Sequence, residues 1–405
     1  MLDLARMTPG AVPGWLTALL CLALATTGCA AAPAGRTADR AAAPAPTVGG
    51  GDTAADQEWN ALLAAARQEG TVVVLGPPTP ELRRSAPEAF QRRFGITLEY
   101  LGQASGDYGQ RLASERRAGI YSADVVVAGA NTMYEVLAGS GQIENGVMGM
   151  LAPLRPALIL PEVLDTSKYR TGKLLFMDPA EQYVLRTANY TNHDVAINTD
   201  YVKPADLQTW QDLLKPEFRG KIAAYDPTIA GAGVSAAVYK YERLGRDYVK
   251  RLFVDQEVTF TRDHRQTADM LAHGSRPIAL YLQGQAIGDL QDQGLPVTAL
   301  PHLQGLEPTV TGGFSYVGLL DHAPHPNAAK LFVNWMTSQA GQQLWQDAQL
   351  QASTRNDLDE SRYPAWFKAS VPDLAMQYFD NQNWEFVLVT TPRIVPELRQ
   401  LLGTR

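Results

Sequence analysis

From residue 58 onward, short apolar runs alternate with amphipathic segments. "EWNALLAAARQEG" places Trp59, Leu62, Leu63 and Ala66 at helical spacing and ends on Gly70. "TVVVLG" is continuously apolar and predicts a buried strand. In "PPTPELRRSAPEAFQRRFG", Thr79 stands at an N-cap position and Pro80 at the first helical position, so a helix follows. "ITLEYLG" predicts a second strand, "YGQRLASERRAG" a helix and "ADVVVAG" a third strand. "NTMYEVLAG" predicts a helix opened by a capping box of Thr132 and Glu135. Strands that alternate with helices, and are apolar throughout, predict a parallel sheet covered on both faces.

The pattern is less regular from about residue 149 to 192, and "DVAINTDYV" then opens a second α/β set. "TWQDLLKPEFRGKIAAYDP" predicts a helix, a turn and a strand, while "GAGVSAAVYKYERLG" and "RDYVKRLFVDQ" predict two helices. "DHRQTADMLAHG" predicts another, with Asp263 and Gln266 as its capping box and Gly274 as its stop. "PIALYL" predicts a strand, and "HPNAAKLFVNWMTSQAGQQLWQDAQ" a helical region. No repeat occurs at a solenoid period.

A chain of 405 residues is long enough for two sizeable cores. Its hydrophobic fraction of 45 % and charged fraction of 19 % are those of an ordinary globular protein. A net charge of −7, with Lys and Arg dispersed, argues against a nucleic-acid partner, which needs a basic stripe. Residues 1–29 carry one early cation, Arg6, an apolar run from Trp15 to Ala25, and small residues before Cys29. That is the pattern of a secretory signal, too short for an ordinary membrane span. "TTGC" resembles a bacterial lipobox, with Cys29 as the lipidated residue; Thr26 stands where Leu is commonest, and Asp3 weakens the basic start. Residues 30–56 are rich in Ala, Pro, Gly and Thr and predict a disordered tether. Cys21 and Cys29 are the only cysteines, so the body has no disulfide and no cysteine metal site.

"DVAINTDYV", "TWQDLLKPEFRGKIAAYDPT", "RPIAL" and above all "APHPNAAKLFVNWMTSQAGQQLW" resemble bacterial extracellular solute-binding lipoproteins of ABC importers, in the group that includes ferric-ion-binding proteins. The resemblance runs from about Glu58 to about Ala348. It implies the α/β, two-lobed type II periplasmic-binding-protein fold, each lobe a mixed, mainly parallel sheet flanked by helices, joined by two hinge strands with the ligand between. Residues 58–192 plus 303–405 would form the first lobe and 193–302 the second, with the crossing strands near 194–198 and 296–302. It further implies an exported monomer on a lipid anchor, at the outer face of the cytoplasmic membrane or in the periplasm. The partners would be a small-molecule solute and an ABC permease with its ATPase. No catalytic step and no cofactor are expected.

In open α/β sheets, ligands lie beyond the carboxyl ends of the strands, where helix N-termini favour anions. Four such corners are predicted, at residues 76–79, 129–132, 226–233 and 262–266. The candidate ligand-binding residues there are Thr79, Asn131, Thr132, Asp226, Thr228, Gly231, Arg262 and Arg265. The two arginines can hold a carboxylate or phosphoryl group bidentately. Tyr190 and Asn192, with Tyr183 nearby, precede the first crossing strand, and Tyr281 and Gln283 follow "PIALYL". Each has a plain structural alternative: a threonine caps, an arginine is solvated, an aromatic is core.

Rival readings are an exported enzyme or sensor subunit on the same scaffold, and a ferric-ion carrier. His322 and His325 have the spacing of a weak metal pair, but "DHAPHPNAA" also reads as a turn into a helix. "GFSYVG" is spaced wrongly for a nucleophile elbow, and neither H-E-x-x-H nor a Walker A occurs. "GAGVSA" fits G-x-G-x-x-A, but "DPTIA" separates it from its strand, against a dinucleotide site. The ferric-ion-binding resemblance implies two adjacent tyrosines after "PIALYL"; Gly284 and Gln285 stand there, and no Tyr-Tyr occurs in the chain. A small polar solute with an acidic group is the expected ligand.

Overall fold

The computed structural model describes residues 53–103, 105–139, 141–191, 193–228 and 232–403. The signal segment with Cys29, residues 30–52 of the tether, Asn192 and Gly231 lie outside them. Helix Ala54–Glu69 begins before the expected start at Glu58, because Thr53 and Asp56 cap it reciprocally. Asp56 N–H donates to Thr53 Oγ1 at 3.2 Å, and Thr53 N–H to Asp56 Oδ2 at 3.3 Å.

Alternation along each strand builds a two-faced first sheet. Val72 and Val74 enter one core, Val73 and Leu75 the opposite one; Val125 and Val127 divide from Val126 in the same way. Strand Thr71–Gly76 pairs in parallel with Thr97–Gly102 on one side and Val125–Ala128 on the other. Strand Tyr316–Leu320 returns from late in the chain and lies antiparallel to Val125–Ala128. Short strands complete nine, and Leu185–Arg186 pairs with the start of Tyr316–Leu320. Helix Pro80–Phe94 covers the parallel side. Its Phe90 meets the rings of Phe94, Phe332 and Trp335 at 4.9, 5.8 and 5.3 Å. Burying that one side chain is worth roughly 1.5–3 kcal/mol.

The second sheet runs Thr259–Thr261, Ile222–Tyr225, Ile278–Leu280, Val195–Asn198, Val297–Ala299. The first three strands are parallel, and the last two join antiparallel. Val195, Ile197, Ile278 and Leu280 face one core, Ala196 and Ala279 the other. Helix Ala232–Lys250 breaks at Gly245, whose φ of 86° leaves the helical region where the sequence predicts two helices to meet.

Two expectations change. Residues 195–198 and 297–299 belong to the second sheet, since their apolar alternation and register make them core and edge strands. The strands that pair between the two sheets are Tyr190–Thr191 and Thr309–Thr311, with Phe379–Asp380 as the third. At two and three residues they are too short to carry a pattern. The tail beyond residue 350 is also not confined to the first core. Helix Ala365–Ser370 packs on helix Gly284–Asp292, and helix Thr391–Leu402 on Ala232–Lys250, burying Ile394 and Leu398 in the second core.

Candidate functional site

The three parallel strands of the second sheet end side by side, at Arg262, Asp226 and Tyr281. Beyond the first two lies a cavity of about 320 Å³, with Asp226, Thr228, Thr261, Arg262 and Gln266 as its polar lining. Asp226 is buried and organises the corner. Its Oδ1 accepts from Thr228 N–H at 2.9 Å and from Thr228 Oγ1 at 2.6 Å, which folds the chain back after the strand. Its N–H donates to Thr261 O at 2.8 Å, holding the two strand ends together. Gly233, in the first turn of the next helix, is seated on the strand end. A Cβ there would stand 2.5 Å from Asp226 O and 2.8 Å from Tyr225 O. The second glycine of "GAGVSA", Gly233, therefore serves close helix-to-strand packing.

Arg262 is 67 % exposed and reaches Asp226 Oδ2 through Nε alone, at 3.5 Å. That is the outer limit of a hydrogen bond. Its two terminal nitrogens have no partner among the described residues. Beneath, Thr261 Oγ1 and Thr267 Oγ1 bond at 2.5 Å and fix helix His264–Ala272 to its strand. His264 stacks flat on Tyr225, centroids 4.4 Å apart and planes 7° apart. Its buried Nδ1 has no partner among the described residues, and burial holds the imidazole below its ordinary 6.5, with Asp263 opposing. Leu402 and Gly403, at the end of helix Thr391–Leu402, also line the cavity.

Three expected residues, Asp226, Thr228 and Arg262, thus share one cavity, joined by Gln266. Gln266 makes no capping box: Asp263 alone caps, accepting from Arg265 N–H at 2.8 Å. Arg265 is exposed and outside the lining. Tyr281 is a correction. Its φ of 65° turns the side chain at the strand end into the second core, where it is 6 % exposed. There the ammonium of Lys240 lies 4.8 Å from its ring, 3.9 Å from that of Trp210 and 3.7 Å from Asp194 Oδ1. Burial pushes the Tyr281 phenol well above its ordinary range, so it is a neutral core group. Gln283 is exposed, at the N-cap of helix Gly284–Asp292, and caps nothing with its side chain. The neighbouring space is taken: a Cβ on Gly284 would stand 3.2 Å from the Trp366 ring and 3.3 Å from His193.

At the first sheet, Thr79 does not cap; its Oγ1 donates to Gln349 Oε1 at 3.1 Å. The expected box at Thr132 and Glu135 is absent, because the helix already includes Ala130 and Asn131. Thr132 is buried, with its methyl against Gly109. Asn131 is half-buried at this corner. Tyr190 is half-buried against the aromatic group of Tyr363, Phe367 and Trp366, and burial pushes its phenol up. Tyr183 is core, with its N–H donating to Asp178 Oδ1 at 2.9 Å. His325 holds the buried carboxylate of Asp124 (Nδ1 to Oδ2, 2.9 Å), whereas His322 lies on the ring of Tyr121. The two histidines thus serve different contacts. Among the described residues no group of three or more His, Cys, Asp or Glu could hold a metal ion, and no helix is long and apolar enough to cross a membrane.

Residues 85–370, more than half of the chain, match the family model described as bacterial extracellular solute-binding protein. An uncharacterized protein of Haemophilus influenzae is 22 % identical over 318 residues, covering 74 % of this chain and 83 % of its own. The periplasmic binding protein AfuA from Actinobacillus pleuropneumoniae, with exogenous fructose-6-phosphate bound, superposes with a TM-score of 0.60 at 19 % identity, covering 82 % of this chain and 99 % of its own. Iron-bound HitA from Pseudomonas aeruginosa gives 0.59 at 18 %, covering 80 % and 99 %. The Trichodesmium protein IdiA (FutA), in complex with iron and citrate, gives 0.61 at 16 %, covering 83 % and 100 %. These likenesses show the type II periplasmic-binding-protein fold.

Proposed function

This chain belongs to the bacterial extracellular solute-binding protein family, and from that premise we propose that it captures a small organic solute with an acidic group and delivers it to an ABC permease. Lipidated Cys29 and the tether that follows hold it at the outer face of the membrane. The observation that carries the choice of solute is Arg262. It is fixed at the mouth of the cavity by one long contact to Asp226, with its terminal nitrogens directed to no other described group. A guanidinium so placed presents a planar pair of donors to a carboxylate or phosphoryl group. Thr228 and Gln266 add neutral polar groups suited to the rest of an organic molecule. A sugar phosphate, of the class bound to AfuA, and a dicarboxylate both fit this chemistry.

The protein acts by binding alone. The solute is held on the second sheet, and the short paired strands between the two sheets are the element about which one core rotates to enclose it. The closed form then docks on the permease. Two of the structural neighbours hold iron. Here the corner after strand Ile278–Leu280 offers a buried phenol in Tyr281 and a tryptophan over Gly284, which favours the organic ligand. A thermal-shift screen of the chain tests this. It should cover sugar phosphates, phosphonates, dicarboxylates, polyamines and Fe³⁺. A selective rise with an organic anion supports the reading. A rise with Fe³⁺ alone, accompanied by a phenolate charge-transfer band, sinks it.

A further inference from the structure

The cavity beyond strands Thr259–Thr261 and Ile222–Tyr225 carries one charge of each sign. Among the described residues that line it, Arg262 and Asp226 alone are charged. Asp263 and Arg265, on either side of His264, are exposed and outside the lining. Arg262 and Asp226 do not saturate each other. The guanidinium reaches Asp226 Oδ2 through Nε alone, at 3.5 Å, and leaves both terminal nitrogens without a partner among the described residues. The carboxylate is equally incomplete. Oδ1 is engaged by Thr228. Oδ2 has only the long Arg262 contact among the described residues, although the Asp226 side chain is 11 % exposed. A carboxylate so withdrawn from water needs donors on both oxygens.

Two unused capacities therefore stand side by side, a planar pair of donors on Arg262 and an acceptor on Asp226 Oδ2. A solute that meets Arg262 with an acid group alone sets a second negative charge beside Asp226, and like charges at this range repel. An ammonium on the same solute removes that conflict and gives Oδ2 charged donors. The 3.5 Å contact between the two side chains sets the spacing, so acid and ammonium must lie close together in the solute. An ammonium on the carbon next to a carboxylate meets that requirement. The volume of about 320 Å³ is at the small end of the range of about 300–1,000 Å³ for ligand sites. The other walls are mixed, with Thr228 and Gln266 polar and Phe260 and Leu402 apolar, as the side chain of such a molecule requires.

We propose that the solute is an α-amino acid, with its carboxylate on Arg262 and its ammonium on Asp226 Oδ2. This inference rests on the reading of Arg262 as the acid-binding group and narrows the class of solute. Plain dicarboxylates and sugar phosphates engage Arg262 alone, whereas the aminated acid engages both members of the pair.

The test sets each common α-amino acid against the same acid with hydroxyl or hydrogen in place of the ammonium, as L-aspartate against L-malate and succinate. The full chain is screened by thermal shift, and the best set is then titrated calorimetrically. The amino acid should bind at least about tenfold more tightly than either counterpart, the effect of one charged hydrogen bond. Asp226→Asn keeps the oxygen that accepts from Thr228 and loses the charge, so the three affinities should converge. Arg262→Gln should weaken all three and preserve their ratio. If Asp226→Asn does not fold, the ratio in wild type decides. A hydroxy or unsubstituted acid that binds as tightly as its amino partner overturns the proposal, as does a ratio that survives Asp226→Asn. Response to sugar phosphates or plain dicarboxylates with none to amino acids also overturns it. Each of these results leaves the Arg262 reading standing, whereas no response to any acid removes both.

Discussion

Phe386 and Val387 are consecutive in the chain and buried in different cores: Phe386 in the main core of the second sheet, Val387 in a core of the first. Neighbouring side chains in a helical turn point in different directions, and here the π-helical turn Phe386–Thr390 lies where two directions meet two cores. The tail therefore ties the halves of the molecule together. Phe386→Ala is expected to cost about 3–5 kcal/mol, read by urea titration of the full chain. A loss below about 1 kcal/mol would show that Phe386 is not a packed part of the second core.

Gly233→Ala tests the seat of the helix on its strand. A Cβ 2.5 Å from Asp226 O forces the first turn outward. Overpacking of this kind costs about 1–3 kcal/mol, and solute binding should weaken with it. An Ala variant with unchanged melting temperature and affinity would contradict the close packing.

Asp226 holds the corner through its Oδ1, so its substitutions should rank by the acceptors they keep. Asp226→Ala removes the acceptor for Thr228 N–H and Oγ1, an expected loss of about 1–3 kcal/mol. Asp226→Asn keeps one oxygen and should lose less. Equal losses for the two neutral variants in thermal unfolding would show that the charge, rather than the turn, is what matters at this position.

Stability should fall with mild acid. His193 and His264 both titrate below their ordinary 6.5, chiefly because burial disfavours the charged ring. The unfolded chain then takes up these protons first. Their contribution is complete above 6.5 and is lost as pH falls through 6.5 toward the folded values. The slope is at most about 1.4 kcal/mol per pH unit for each ring. His264→Gln should flatten the profile between about pH 7 and about pH 5, measured as melting temperature against pH. An unchanged profile in that variant would remove His264 from the explanation.

Much of the scaffold was legible because local pattern determines it. The run "TVVVLG" needs no distant information to become a strand buried on both faces, and Gly245 breaks its helix where the spacing says it should. The place of Arg262 beside a cavity was legible for the same reason, since a residue just after a parallel strand lies at the carboxyl edge of the sheet. Tyr281 satisfies the same rule and fails, because a left-handed backbone turns it inward onto Lys240. Trp366 against Gly284, Leu402 at the cavity and Asp380 on Arg186 were not legible. Each is a contact between segments far apart in the chain, and the tail that makes them has no periodicity that names its partner. The i, i+4, i+8 spacing of Ile394, Leu398 and Leu402 was there to be read as a helix, although not as one covering Ala232–Lys250.

The central claim is that Arg262 recognises the acid group of an organic solute. Isothermal titration of the full chain with the sugar phosphate or dicarboxylate that gives the largest thermal shift, in wild type and Arg262→Gln, tests it most directly. Arg262 is exposed, so the variant should keep wild-type stability within about 0.5 kcal/mol. Its affinity should fall at least tenfold, as expected for losing a charged hydrogen bond worth about 1.5–3 kcal/mol. Equal affinity in the two proteins would contradict the account.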